Sequence, residues 1–379
     1  MRAAAVDHLI EIGGRGHGHL LFWAEALSPG FRGATPYPNR GRRKCWRSSV
    51  VPPYLPIDAP PSRPLMKEQA MADAIFASAR AEDPLAALSR VPEGALAIIT
   101  HVEGPSYRPV GAMMAVSPDG ARIGMLSSGC IDGDVALHAA EAMTDNQPRR
   151  LRYGAGSPFR DIELPCGGGL DILILPRPDR AVLARAVAAR EARKTISLVV
   201  EPDGRLMEAP TGGASTGQEG DRFHLCLTPD LRFLVFGRGP EAATFAAFVR
   251  SAGWSIEAFS PDPESLLGSG AVVTTLARPT MPDVAVDPWT AIVLFFHDHD
   301  WEPEILKGAL ATDAFYIGAL GSQRARRLRS ARMRDLGVSE ADIARARGPV
   351  GLIPSARDPR TLAASVLAEV LGEAQRIEF

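Results

Sequence analysis

The chain has 379 residues, of which 46% are hydrophobic and 23% are charged, and its formal net charge at pH 7 is −2. This composition excludes a wholly disordered chain, and the nearly balanced charge argues against a protein built as a whole to bind nucleic acid. Four cysteines in a chain of this length exclude a disulfide scaffold, and no apolar run reaches the roughly 18 residues of a membrane span. Because the sequence shows no secretory signal, we expect a cytoplasmic protein.

Residues 1–65 differ from the rest of the chain. They contain nine prolines, nine basic residues and four acidic residues, and they show little sustained periodicity. A targeting peptide is not favoured, because a compact apolar region and a small-residue cleavage site are missing. Two interpretations remain, namely a disordered basic tail or a biological start at Met66 or Met71. We therefore leave this stretch out of the fold prediction.

The segment 66–179 predicts a small α+β domain. A helix is expected over Met71–Ala87, with Pro84 near its end or at a break, and a second helix over Asp132–Met143. Short apolar runs between Gly, Pro, Ser and Asp predict strands. These strands are Ala95–His101, Gly111–Val116, Arg122–Leu126, Asp161–Leu164 and Asp171–Leu175.

The segment 180–228 is expected to connect this domain to the next one. It predicts a helix over Arg180–Lys194 and a hairpin over Ser197–Glu208, turning at Pro202-Asp203-Gly204. The polar, glycine-rich stretch Thr211–Gly220 is typical of a loop or linker.

The segment 229–379 alternates strands with helices, which is typical of a parallel, doubly wound sheet. The predicted strands are Leu231–Phe236, Ser255–Phe259, Thr290–Phe296 and Ala314–Leu320. A helix is expected over Pro240–Ser251, and Asp358-Pro359 predicts the start of the last helix, with the aspartate as its cap. The whole chain therefore predicts an α/β protein with a C-terminal Rossmann-like sheet preceded by a smaller α+β domain.

A glycine-rich turn joins the first strand and helix of the Rossmann-like segment. Gly237 allows the tight turn, Gly239 lets a phosphate approach the backbone, and Ala242 permits close packing of the helix on the strand. Helix N-terminal amides would then bind the anion. Ser260 stands where a ribose-binding carboxylate is expected, although Asp262 lies close by in sequence. The alternative is a nucleotide-type fold that binds nothing.

Cys130 and Cys166 both lie in small-residue turns. Cys130 directly precedes a predicted helix, where the helix dipole and free amides favour a thiolate. Cys166 precedes three glycines, which leave its sulfur uncrowded. These features favour sulfur atoms that contact a ligand, whereas the alternative is two buried, inert cysteines. Cys45 and Cys226 have no comparable setting.

His297-Asp298-His299-Asp300 follows a buried strand, at the carboxyl edge where open α/β sheets bind ligands. These side chains could bind a metal or transfer protons. The alternative is a turn that only caps and hydrogen-bonds the local backbone.

Gly321 and Ser322 precede a basic segment, and Ser322 is expected to cap a helix there. The basic residues are Arg324, Arg326, Arg327 and Arg329. Cations at a helix N-terminus oppose the helix dipole, so an anion such as a phosphate or the acidic face of a partner is expected nearby. The alternative is a solvated helix face.

Several segments together carry a family resemblance that covers about Asp83 to Leu371. They are Glu103–Ala112, Ser128–Asp134, Tyr153–Pro158, Leu164–Gly168, the Gly237 turn, His297–Asp300, Tyr316–Ser322 and Pro349–Leu352. In this order they resemble the XdhC/CoxI family, which consists of accessory proteins that mature xanthine dehydrogenase, carbon monoxide dehydrogenase and related molybdenum hydroxylases.

The resemblance implies a chaperone that is not itself an enzyme. Such a protein binds molybdopterin or its dinucleotide form, supports its sulfuration with a cysteine desulfurase, and delivers it to the apo-hydroxylase. Cys130 and Cys166 match the two cysteine motifs of the family, which implies contact with molybdenum or sulfur, and the Gly237 turn would hold a phosphate. The sequence departs from the family where Ser128 replaces a glycine and where the acidic residue after the second strand is missing.

Two other functions remain as alternatives. An NAD(P)-dependent oxidoreductase would use the Gly237 turn, although Ser260 argues against NAD. A thiol sulfur carrier or metal-thiolate protein would use Cys130 and Cys166 without a pterin. We also expect a homodimer, because accessory proteins of this type often self-associate.

Overall fold

The computed structural model of the chain describes residues 83–91, 93–157, 167–209, 215–297 and 300–377. All of them belong to one unit of the chain, residues 61–379. Several predictions lie outside the described residues: the stretch 1–65, residues 71–82 of the first helix, the strand 161–164, and the site residues Cys166, Asp298 and His299. No helix within the described ranges is long and apolar enough to cross a membrane.

An antiparallel sheet of five strands forms the first layer of the protein. Its strands are β1 (Ala95–Glu103), β2 (Met113–Val116), β3 (Arg122–Gly124), β4 (Arg149–Gly154) and β5 (Gly169–Pro176), in the order β3-β2-β1-β5-β4. Both faces of β1 are buried from Ala95 to Ile99, and alternate side chains there pack on opposite faces of the sheet. Ala97 and Ile99 pack toward the helix α2 (Asp132–Asp145), whereas Leu96 and Ile98 pack toward the other face.

That other face is covered by two helices and a second antiparallel sheet. The helices are α1 (Pro84–Arg90) and α3 (Arg180–Glu191). The second sheet contains β6 (Ile196–Val200), β7 (Leu206–Glu208), β8 (Gly217–Glu219) and β9 (Arg222–Leu227), in the order β7-β6-β9-β8. The pairing of β6 with β7 confirms the predicted hairpin. The prediction of a loop over Thr211–Gly220 is wrong at β8, which pairs with β9.

Six parallel strands form the C-terminal sheet. They are β10 (Arg232–Gly237), β11 (Ser255–Ser260), β12 (Val272–Thr275), β13 (Thr290–Phe295), β14 (Tyr316–Ala319) and β15 (Ala346–Arg347). Their order, β12-β11-β10-β13-β14-β15, is the order of a Rossmann fold, whose ligand crevice lies where the connections after β10 and β13 leave the sheet toward opposite faces. The predicted fold class is therefore confirmed.

Helices cover both faces of this sheet. The helices α4 (Pro240–Ser251) and α8 (Pro359–Ala374) pack on one face. The helices α5 (Glu302–Leu310), α6 (Gln323–Asp335) and α7 (Glu340–Arg345) lie on the other side of the sheet. The predicted cap of the last helix is confirmed, because Asp358 Oδ2 accepts a hydrogen bond from the Thr361 amide at 3.0 Å.

The first helix decides between the two predicted positions of Pro84. Pro84 does not lie near the end of a helix but begins α1, as expected of a break at this position, and Asp83 caps α1 by accepting the Leu85 amide at 2.9 Å. Proline has no N–H to donate and its ring clashes with the preceding turn, so it fits the first helical position rather than the interior. The strand β4 is missing from the prediction because its sequence, Arg-Arg-Leu-Arg-Tyr-Gly, belongs to a polar edge strand.

Candidate functional site

The loop that carries Cys130 joins β3 to α2 and is fixed by two side chains. Asp132 is buried at the start of α2, and its Oδ1 accepts hydrogen bonds from the Leu126 amide at 3.1 Å and from the Ser127 amide at 3.0 Å. The Ser127 hydroxyl accepts the Gly129 amide at 3.1 Å and the Ile131 amide at 3.3 Å. The loop is therefore rigid around Cys130, whose own amide takes no part in this network.

Cys130 itself is exposed, so the alternative of a buried cysteine is wrong for this residue. It lines a small cavity together with Leu126, Ser127, Leu170 and the turn Pro105–Tyr107. The aromatic side chain of Tyr107 is 63% exposed beside it. Among the described cysteines the other one, Cys226, is half-buried on β9. The cavity thus presents one thiol to solvent on a rigid backbone.

The residues that follow Cys166 pack against the same turn. A Cβ atom on Gly168 would lie 2.7 Å from the Glu103 carbonyl oxygen and closer still to the Pro105 carbonyl oxygen, so only glycine fits there. Because Pro105 also lines the cavity at Cys130, the turn 103–107 contacts both the Cys130 loop and the chain directly after Cys166.

Arg152, on β4, holds this turn against the sheet. Its guanidinium forms an ion pair with Glu103, donates to Asp171 Oδ1 at 3.1 Å and donates to the Ala155 carbonyl at 2.8 Å. On the next residue of β4, the buried Tyr153 hydroxyl donates to Asp134 on α2 at 2.5 Å. Burial and this carboxylate raise the pKa of Tyr153 above its ordinary value. Adjacent residues of β4 therefore contact both Glu103, at the start of the turn 103–107, and the helix α2.

The Gly237 turn has the predicted backbone geometry. Gly237 has φ +155°, and a Cβ there would lie 2.7 Å from the Phe295 carbonyl oxygen. Gly239 has φ +85°, and Ala242 is fully buried in the first turn of α4. The turn therefore matches the strand-to-helix turn of a nucleotide-binding fold in shape.

The polar groups of that turn are used differently from a phosphate-binding turn. The Gly239 amide donates to the Ser265 hydroxyl at 3.1 Å, and Pro240 has no N–H to offer. Oε2 of Glu241 lies 3.6 Å from the position of a Cβ on Gly239 and 3.6 Å from His297 Nε2. A carboxylate thus stands over the glycine where a phosphate would approach.

Ser260 is fully buried at the end of β11. Its hydroxyl accepts the Asp262 amide at 3.0 Å and donates to the Asp262 carbonyl at 2.9 Å, so it closes a local turn. The second strand therefore ends in a hydroxyl that is engaged with its own backbone, and no carboxylate occupies that position.

The basic helix α6 agrees with the prediction at its cap and differs from it at Arg329. Ser322 caps α6 by accepting the Ala325 amide at 3.2 Å, as predicted, and Gly321 has φ +141° next to it. Arg329 is buried and donates to both carboxylate oxygens of Glu302, at 2.6 and 3.0 Å. The expectation of an outside anion is wrong for Arg329, because the protein supplies the carboxylate itself. Arg324, Arg326 and Arg327 lie on the same helix, and all three are exposed.

The predicted site residues fall into two separate places. Cys130 lies in the first domain, and no residue of the parallel sheet lines its cavity within the described ranges. Arg193, after α3, pairs with Asp287 at 2.6 Å near the amino end of β13, where the two parts of the molecule meet. Gly239 and His297 lie at the opposite, carboxyl ends of the strands, and a six-residue strand spans roughly 17 Å. Neither Gly239 nor His297 lines the cavity at Cys130.

Four residues at these two places were missed by the sequence reasoning: Asp132, Arg152, Glu241 and Ser265. Glu241 carried a signal, since an acidic residue at the second position of a helix after a Gly-x-Gly turn opposes a bound phosphate. The partners Glu103 and Asp171 of Arg152 are distant in sequence, so no local pattern indicated these contacts. Within the described part of the chain, no group of three or more His, Cys, Asp or Glu residues is arranged to hold a metal ion.

Comparisons with known proteins match both halves of the chain. A family model described as the XdhC and CoxI family matches residues 88–154, and one described as the XdhC Rossmann domain matches residues 233–370. The chain is 34% identical over 275 residues to the molybdenum cofactor insertion chaperone PaoD of Escherichia coli, covering 73% of this chain and 81% of that protein. It is 24% identical over 320 residues to a Bacillus subtilis protein described as a probable xanthine dehydrogenase subunit, covering 75% and 94% respectively.

A solved structure shares the fold. It is described as a xanthine dehydrogenase from Bacillus halodurans, and it superposes with a TM-score of 0.63 at 23% identity, covering 78% of this chain and 97% of that chain. The chain belongs to the XdhC and CoxI family.

Proposed function

We propose that this protein binds the molybdenum cofactor and inserts it into a molybdenum hydroxylase of the xanthine or carbon monoxide dehydrogenase type. The observation that carries the proposal is the exposed Cys130 thiol on a rigid loop, in a chain related over most of its length to a molybdenum cofactor insertion chaperone. The cargo is molybdopterin or its dinucleotide form. The apo-hydroxylase receives it, and a cysteine desulfurase supplies sulfur for its sulfuration.

The chemistry of the Cys130 cavity suits this cargo. Thiolates are soft ligands, and a molybdenum–sulfur centre is a soft group. Since Ser127 and Asp132 already bind the surrounding amides, the loop keeps its shape whether or not cargo is present. An open site is also suited to release, because cargo enclosed in a deep pocket would need a large opening motion before transfer. We propose that Cys130 and Cys166 contact the molybdenum or its sulfur.

We do not place the cargo phosphate at the Gly237 turn. Glu241 and Ser265 already interact with Gly239, and a second anion beside the Glu241 carboxylate is repelled. His297, Gly321 and Ser322 lie in the parallel-sheet part of the chain as well, and none of them lines the cavity at Cys130. The same arrangement, together with Ser260, disfavours the NAD(P)-dependent oxidoreductase.

The test is the composition of protein purified from a molybdenum-replete host. Molybdenum is measured by elemental analysis and oxidised pterin by fluorescence on the same sample. We expect near-stoichiometric amounts of both in the wild type and in a Cys226→Ala control, and a severalfold loss in Cys130→Ala and in Cys166→Ala.

Two results would contradict the proposal. Absence of both signals, under conditions that load a known molybdoenzyme, would remove the chaperone function. Full loading and delivery by the Cys130→Ala and Cys166→Ala variants would remove the site assignment. The alternative of a thiol sulfur carrier predicts a third result, namely a persulfide on Cys130, found by mass spectrometry, without any pterin.

A further inference from the structure

The Rossmann-type turn of this protein carries its own anion. In a nucleotide-binding turn, the second glycine exposes its backbone so that a pyrophosphate can approach, and the helix N-terminal amides donate to it. Here Oε2 of Glu241 is the only heavy atom within 4 Å of the Gly239 Cβ position among the described residues, chain neighbours left aside. The Glu241 side chain is only 22% exposed, so the carboxylate lies against the turn rather than in open solvent.

The donors that a phosphate would need are also reduced in number. The Gly239 amide already donates to the Ser265 hydroxyl, which in turn donates to the Asp262 carbonyl at 2.7 Å. Pro240 occupies the first helical position and lacks an N–H. A pyrophosphate would therefore find neither of the backbone donors at positions 239 and 240 available.

A residue that follows the neighbouring strand β13 contacts the Glu241 carboxylate. His297 follows β13, the strand next to β10, and its Nε2 lies 3.6 Å from Glu241 Oε2. The contact joins the segments that follow β10 and β13 and that leave the sheet toward opposite faces, which is the ligand crevice of this topology. Glu241 thus fills the crevice from α4 and has a partner on the other side of it.

We infer that Glu241 closes this turn to pyrophosphate and dinucleotides, so that it determines what the Rossmann domain excludes. The fold keeps the shape of a nucleotide-binding domain, while a carboxylate on the helix replaces the phosphate. The inference does not depend on the proposed chaperone function, because it concerns a separate part of the molecule and needs no pterin.

The experiment measures the binding of NAD, ADP-ribose and inorganic pyrophosphate to the full chain by calorimetry. The wild type is compared with Glu241→Ala and Glu241→Gln, and with Glu264→Gln as a control that removes an equal charge from a glutamate of the same domain. We expect no saturable binding by the wild type or the control, and saturable binding by both Glu241 variants, since a like charge next to the ligand has been removed.

Two outcomes would overturn the inference. Saturable binding of NAD or pyrophosphate by the wild type, not strengthened in the Glu241 variants, would show that the carboxylate excludes nothing. Variants that fold, as judged by circular dichroism and a cooperative thermal transition, but still bind none of the three probes would show that another group closes the turn.

Discussion

Ser127 and Asp132 are hydrogen-bonded to each other in the loop that carries the exposed thiol of Cys130. The Ser127 amide and hydroxyl both donate to Asp132 Oδ1, at 3.0 and 3.2 Å, and the carboxylate is buried. A buried carboxylate that accepts three hydrogen bonds, the third from the Leu126 amide, fixes the backbone of the loop before the helix begins. The position of the thiol therefore depends on a residue that does not touch it.

Replacing Asp132 by alanine should destabilise the protein and loosen this loop. Three buried donors lose their acceptor, which we expect to lower the free energy of unfolding by about 2–4 kcal/mol. Urea denaturation measures the loss, and hydrogen exchange of residues 126–131 should become faster. Asp145→Asn, at the exposed end of the same helix, is the control and should change the free energy of unfolding much less. Unchanged hydrogen exchange of residues 126–131 in the Asp132→Ala variant would show that Asp132 does not hold the loop in place.

Arg152 should contribute more to the free energy of unfolding than Arg150, two positions before it on β4. The Arg152→Ala variant loses the contacts with Glu103, Asp171 and the Ala155 carbonyl, and we expect a loss of about 1–3 kcal/mol in the free energy of unfolding. Arg150 is exposed and makes no ion pair with any described residue, so Arg150→Ala should stay within about 0.5 kcal/mol of the wild type. Equal effects of the two substitutions in urea denaturation would argue against the role of Arg152.

The buried pair of Arg329 and Glu302 should show strong coupling. Removing either side chain alone leaves an uncompensated buried charge, so Arg329→Met or Glu302→Leu should each cost about 3–5 kcal/mol. The double variant should lose less than the sum of the two single variants, because neither charge remains buried without a partner. A double-mutant cycle from denaturation curves measures the coupling, and additive losses would mean that the two residues do not act as a pair.

Asp287 should contribute to the acid sensitivity of the protein. Burial alone would raise the pKa of Asp287, but hydrogen bonds from Arg193 and Thr290, with the charge of Arg193, hold the pKa below its ordinary value. Because the folded-state pKa is lowered, the stabilisation is complete above the unfolded-state pKa of about 3.9 and is lost as the pH falls toward the folded-state pKa.

The measurement for Asp287 is the free energy of unfolding as a function of pH, in the wild type and in Asp287→Asn. The wild type should be the more stable protein at pH 6, and the difference should shrink below about pH 4. A difference that stays constant down to pH 3 would show that the Arg193 contact does not depend on the charge of Asp287.

The sequence by itself determined the elements with a clear local pattern and the family. Apolar runs predicted β10 and β13, and the Ser and Asp caps marked the starts of α6 and α8 correctly. Local signals sufficed there, because a buried strand or a helix cap involves residues close in sequence. The turn that contains Cys130 was also predicted in the right place. The polar edge strand β4 was missed, since its pattern resembles that of a loop.

Only the tertiary structure decided which groups face one another. Arg152 meets Glu103 across 49 positions of the chain, and Arg329 meets Glu302 across 27, so no local pattern reports either contact. The same holds for the Gly237 turn, whose residues predict a phosphate site until Glu241 and Ser265 are seen beside Gly239. Sequence spacing specifies the backbone shape of such a turn, whereas its chemistry depends on side chains that folding brings over it.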